Sequence, residues 1–167
     1  KNLQISPTDV VGGIATSGRT PYVIGALEYA RSVGAFTVGL SCDRGPELAT
    51  RSDVSIAPVV GPEVVSGSTR MKAGTATKMV LNMLSTGAMI RLGKTYGNLM
   101  VDLRATNSKL ADHARRIVRA VTKLSDKESE KLLRSCDGEV TPAIVSHCTG
   151  TSSITARELL AGTHGHL

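Results

Sequence analysis

Val10–Thr20 reads VVGGIATSGRT. An apolar run stops abruptly at Ala-Thr-Ser-Gly-Arg-Thr, and Pro21 then opens a helical pattern. Val and Ile favour a strand, and proline is tolerated in the first turn of a helix, where an N–H would lack a partner anyway. A buried strand that feeds a helix through a small, hydroxyl-rich turn gathers backbone N–H groups, hydroxyls and the positive end of a helix dipole. That combination suits an anion such as a phosphate. Ser17, Gly18, Arg19 and Thr20 are the candidate ligands. Gly18 permits close backbone approach, and Arg19 adds charge-assisted bonds. The same residues also read as a plain helix cap, with Thr16 or Ser17 accepting from the helix N–H groups.

Working outward, Asp9 to Ala15 is expected to be a buried strand and Pro21 to Val33 a helix stopped by Gly34. Phe36 to Cys42 (FTVGLSC) is a second strand, Asp43 to Pro46 its turn, Glu47 to Arg51 a short helical piece and Val54 to Val60 a third strand. Apolar, non-alternating strands separated by helices imply a parallel sheet covered on both faces. Gly61 to Thr69 (GPEVVSGST) is a second small-residue loop before a long helix, about Arg70 to Leu92. That helix is apolar around much of its circumference and is expected to be central.

Glu63, Ser66, Ser68 and Lys72 in and after this loop join the candidate list. Two anion-friendly loops at the ends of neighbouring parallel strands would converge on one cleft. Glu63 could hold sugar hydroxyls or move protons, or it could simply cap the helix. Lys72 could equally be a solvated side chain.

Lys94 to Asn98 is a break, and Leu99 to Leu103 could be helix or strand. Asn107 caps a helix with the stripe Leu110, Ala114, Ile117, Val118 and Val121. Ser125-Asp126-Lys127-Glu128 is a capping box. Two more helices follow, one opened by Thr141-Pro142 and one over about Thr155 to Ala161. The expected organisation is therefore α/β over residues 1–106, a partial parallel-sheet three-layer sandwich, with a small helical subdomain over 107–167.

Composition narrows the function. The chain has 167 residues, 41% hydrophobic and 20% charged, with one Phe, three Tyr and no Trp. Stacking platforms for bases or flat cofactors are scarce, and the net charge of +6 lies on no recognisable reading element, so no nucleic-acid partner is expected. No apolar run reaches the roughly 20 residues of a membrane span, so no membrane partner is expected. Cys42, Cys136 and Cys148 are odd in number and widely spaced, and His113, His147, His164 and His166 suit no metal site. Inert thiols, a cytoplasmic setting, no metal and no cofactor are the expectations.

The segments GIATSGRTPYV, GPEVVSGSTRMKAGTATKMVLNMLSTGAMIRLGK and YGNLMVDLRATNSKL resemble the N-acetylmuramic acid 6-phosphate etherases, of the sugar isomerase (SIS) superfamily. The resemblance runs to about Val121; the helical tail is similar more in layout than in residues. The GSTRMKAGTATKMVLNML run is also similar to the glucokinase regulatory protein, a non-enzymatic relative. The resemblance implies a flavodoxin-like sandwich, a homodimer, and a cytoplasmic lyase of cell-wall recycling. Its substrate would be N-acetylmuramic acid 6-phosphate, and its products N-acetylglucosamine 6-phosphate and D-lactate, formed by elimination and hydration.

By the same resemblance, Ser17 to Thr20 match the second sugar-phosphate loop and Glu63 matches a residue that reaches the sugar ring, with Ser66, Ser68 and Lys72 as weaker neighbours. The family's first phosphate loop and its two catalytic glutamates would lie upstream of Lys1. This chain is therefore expected to correspond to a C-terminal portion, inactive by itself, that persists by dimerising or by staying with the other half. A sugar-phosphate-binding regulatory module and an aldose–ketose isomerase with Glu63 as base are the alternatives.

Overall fold

A computed structural model describes residues 4–104 and 106–167. Lys1, upstream of which the catalytic carboxylates are expected, and Ala105 of the YGNLMVDLRATNSKL run lie outside the described residues. The elements are β1 (Val10–Ile14), α1 (Pro21–Ser32), β2 (Phe36–Leu40), a 3-10 turn (Glu47–Thr50), β3 (Val54–Ile56) and α2 (Lys72–Arg91). They continue with β4 (Thr95–Tyr96), β5 (Leu99–Met100), α3 (Ser108–Thr122), α4 (Asp126–Ser135), α5 (Val140–Thr149) and α6 (Ser153–Gly162). The chain forms two compact units, Lys1–Met83 and Leu84–Leu167, that divide within α2.

In the first unit β1, β2 and β3 form a parallel sheet in that order, with Gly13 opposite Gly39 and Leu40 opposite Ile56. The two glycines set the packing. A Cβ on Gly13 would lie 2.7 Å from Leu27, and one on Gly39 would lie 2.5 Å from Leu48. Their absence lets α1 and the 3-10 turn press onto one face of the sheet. Ala15, Leu27 and Leu48 are buried there, with Val11, Val23 and Ile24 around them. Asp53 ties the opposite end. Its carboxylate accepts from the Thr37 N–H (2.8 Å) and hydroxyl (2.7 Å) and lies 3.3 Å from Arg31 Nε.

The other face departs from the expectation of a sheet covered on both sides. Val10, Ile14, Phe36 and Val54 are exposed on it. Both connections, α1 and the 3-10 turn, pack on the same face, and the start of α2 reaches the far one. There Cys42 Sγ lies 3.7 Å from the Ala73 carbonyl and 3.8 Å from Thr77 Oγ1. The α2 helix itself has the expected extent but not the expected burial. Ala73 is its single buried residue, while Met79 (52%) and Met83 (63%) are largely exposed. The third strand is shorter than expected, ending at Ile56. Pro58 offers no N–H to a ladder.

The second unit opens with a β4–β5 hairpin, in which Tyr96 pairs with Leu99 across Gly97-Asn98. Leu99 to Leu103 is thus strand and then coil rather than helix. Val101, Ala114, Ile117, Val118, Leu133, Cys136, Val140, Ala143 and Ile144 form the buried core of this unit. Its helix starts follow their caps. Asn107 accepts from the Leu110 N–H at 2.9 Å, and Ser125 and Glu128 complete a capping box. Arg157 of α6 binds the α4–α5 turn through Glu139 (3.1 Å) and Asp137 (2.8 Å).

Candidate functional site

The turn after β1 is held from below by backbone bonds. Ala15 donates to the Leu40 carbonyl (3.0 Å) and Cys42 to the Thr16 carbonyl (2.8 Å), which carries the parallel ladder past the strand ends. The Gly18 N–H donates to Ala15 (2.8 Å), and the Gly18 carbonyl accepts from Leu48 (3.0 Å). Gly18 has φ +66°, and a Cβ there would stand 2.1 Å from Pro46 Cβ. The turn therefore requires glycine twice over, for its dihedral and for its space.

Above this base the polar groups are open. Thr20 occupies the N-cap position of α1 with φ −71° and ψ 115°, Pro21 follows in the first turn, and no side chain caps the helix. The Thr20 carbonyl accepts from Val23 and Ile24. Among the described residues, Ser17 and Arg19 have no side-chain partner, and both are exposed. The plain helix cap, in which Thr16 or Ser17 would accept from the first turn, is not what this chain builds. Instead the hydroxyls, the Arg19 guanidinium and, at the uncapped start of the 12-residue helix, the Tyr22 N–H remain available to an anion.

The second loop behaves differently. Glu63 Oε2 accepts from the Lys72 N–H and Oε1 from the Ala73 N–H, both at 3.1 Å. These two bonds, the Lys72 one foremost, hold the Glu63 carboxyl below its usual pKa. Glu63 is thus an ionised cap on α2. Lys72 Nζ donates to the Pro62 carbonyl at 2.7 Å, fastening the loop to the helix. Ser68 Oγ accepts from the Arg70 N–H at 3.4 Å, and Ser66 is exposed.

Cys42 joins the two loops. Its N–H holds Thr16 and its thiol reaches Ala73, whose own N–H is bound by Glu63. Sequence reasoning set Cys42 aside as an inert thiol. The signal that could have found it is its position, just past the end of a parallel strand, where ligands gather in such sheets. Ser41, beside it, was also missed. It is buried to 1% exposure and its hydroxyl has no partner among the described residues. A cavity of about 470 Å³ in the second unit, lined in part by Lys94, Asp102, Arg104 and Thr141, contains none of the candidate residues.

Among the described residues, no group of three or more His, Cys, Asp or Glu side chains is placed to hold a metal ion. Among them, too, no helix is long and apolar enough to cross a membrane.

No protein-family profile matches the chain. A solved structure titled "Crystal structure of an hypothetical protein" is similar over 54% of this chain and 52% of that one, at 21% identity and a TM-score of 0.43. Curated relatives are far more similar in sequence. The N-acetylmuramic acid 6-phosphate etherase of Rhodopirellula baltica is 61% identical over 165 residues, covering 99% of this chain and 55% of the relative. The protein of the same name from Yersinia pestis (strain Pestoides F) is 56% identical over 167 residues, covering 100% of this chain and 57% of the relative. The chain thus spans about half the length of the curated relatives it matches. By sequence, the chain matches the C-terminal part of proteins named N-acetylmuramic acid 6-phosphate etherase, at 56–61% identity.

Proposed function

We propose that this chain holds the phosphate and sugar of N-acetylmuramic acid 6-phosphate within an etherase that releases D-lactate and N-acetylglucosamine 6-phosphate. The observation that carries this reading is the open turn at Ser17 to Thr20, whose hydroxyls and arginine have no side-chain partner among the described residues and whose helix start carries no side-chain cap. The names of the curated relatives supply the substrate.

In the proposed reaction a base takes the proton beside the sugar aldehyde, lactate leaves, and water adds across the new double bond. Glu63 is a poor candidate for that base. Both its oxygens already accept from the N–H groups that start α2, which favours the ionised form and weakens its hold on a proton. Its link to the phosphate turn through Ala73 and Cys42 suits it to orient sugar hydroxyls. Ser66, Ser68 and Lys72 would shape the loop around it. The carboxylates that move protons would come from other residues of the longer protein, so these 167 residues would bind the ligand without breaking the ether. The exposed apolar side chains of the sheet and of α2 would be covered by a second copy or by that same longer protein.

The test is an assay of D-lactate release from N-acetylmuramic acid 6-phosphate by the longer protein and by the 167 residues alone. Release by the longer protein and binding without release by the shorter chain are expected. Binding without release by both would overturn the lyase reading in favour of a regulatory sugar-phosphate module.

A further inference from the structure

We infer that Ser41 is a positioning residue for the anion-holding turn, its buried hydroxyl acquiring a partner only when a phosphate is seated on Ser17 to Thr20. The inference rests on the reading of that turn as the phosphate site. Ser41 directly follows β2, and its N–H donates to the Ile56 carbonyl, so its backbone is fixed. Its side chain is 1% exposed, and Oγ has no hydrogen-bond partner among the described residues. Its Cβ lies 3.3 Å from the point where a Gly18 Cβ would stand, and Pro46 Cβ lies 2.1 Å from that point. The glycine at the centre of the turn thus lies against both Ser41 and Pro46.

Buried hydroxyls without partners are uncommon and destabilising, so each calls for a cause. The neighbouring buried polar groups of the same unit are satisfied. Thr37 binds Asp53, and Ser52 Oγ donates to the Leu48 carbonyl at 2.9 Å. Ser41 is the exception among them, and it sits against the part of the fold that also leaves its own polar groups open. The Thr16 and Gly18 carbonyls already accept from Cys42 and Leu48. The Ser17 carbonyl, between them, accepts no backbone bond among the described residues. A phosphate drawing on the N–H groups and hydroxyls of the turn would shift the turn against Ser41 with the Gly18 N–H still bound to Ala15, and bring the Ser17 carbonyl to Ser41 Oγ. The empty turn would then hold an unmet donor that the occupied turn satisfies, which favours the occupied form.

The experiment compares the unsubstituted chain with Ser41→Ala and Ser41→Cys, the latter similar in size but a weaker donor. Two quantities are read: the thermal midpoint without ligand, and the Kd for N-acetylglucosamine 6-phosphate by calorimetry. Ser41→Ala is expected to leave the unliganded midpoint unchanged or raised and to weaken binding about fivefold. Ser41→Cys should fall between the two. A lowered midpoint with unchanged affinity would make Ser41 a packing residue and overturn the inference, as would no change in either quantity. Absence of binding by the unsubstituted chain would instead overturn the phosphate-turn reading beneath it.

Discussion

Arg19 is exposed and pairs with no carboxylate among the described residues. Its removal should therefore cost the fold little, within about 0.5 kcal/mol. A charge-assisted bond to phosphate contributes about 1.5–3 kcal/mol, so Arg19→Gln should weaken sugar-phosphate binding by about tenfold or more. Calorimetry and thermal melts on one preparation separate the two effects. Glu63, unlike Arg19, should matter to the fold. Its carboxyl titrates below the ordinary value of 4.5 because the Lys72 and Ala73 N–H groups favour the anion. Its stabilising contribution is then fully present above pH 4.5 and is lost as the pH falls through the lower folded value. Glu63→Gln should therefore destabilise the chain at neutral pH and converge with the unsubstituted protein in acid, as followed by denaturant unfolding across pH. At this scale the sequence named candidate residues, and geometry separated their surroundings. Ser17 to Thr20 stay open, whereas Glu63 is committed to a helix. Nothing in the string GPEVVSGST shows where a flexible glutamate will find its partners.

Among the elements, the helices with local signals were the most legible. Asn107 and the Ser125–Glu128 box mark the starts of α3 and α4 because capping is a contact between near neighbours in the chain. Asn107→Ala should lower stability by about 1 kcal/mol, measured by urea unfolding of the whole chain. Two local signals were present but underused. Pro58 ends β3 early for want of an N–H, and Gly97-Asn98 between Thr95-Tyr96 and Leu99-Met100 is a two-residue hairpin connection. The burial of α2 could not be read this way. An all-round apolar helix calls for a full set of neighbours, and the pattern does not say whether they lie in the same chain.

On the scale of the molecule, that unmet demand is the main feature. The β1 strand is an edge of the sheet, one sheet face carries Val10 (68% exposed) and Phe36, and Met79 and Met83 stand one turn apart on α2. Edges and apolar faces of this kind favour association. The 167-residue chain should therefore sediment as a dimer or larger species. Met79→Glu with Met83→Glu should shift it toward monomer with helical content unchanged by circular dichroism, and a monomeric starting protein would contradict this. The central claim is narrower and rests on the turn after β1. Its most direct test is an NMR titration of this chain with N-acetylglucosamine 6-phosphate and, in parallel, with N-acetylglucosamine. Saturable amide shifts centred on Thr16 to Tyr22 with the phosphorylated sugar alone are predicted; equal responses to both sugars, or none at these residues, would contradict the account.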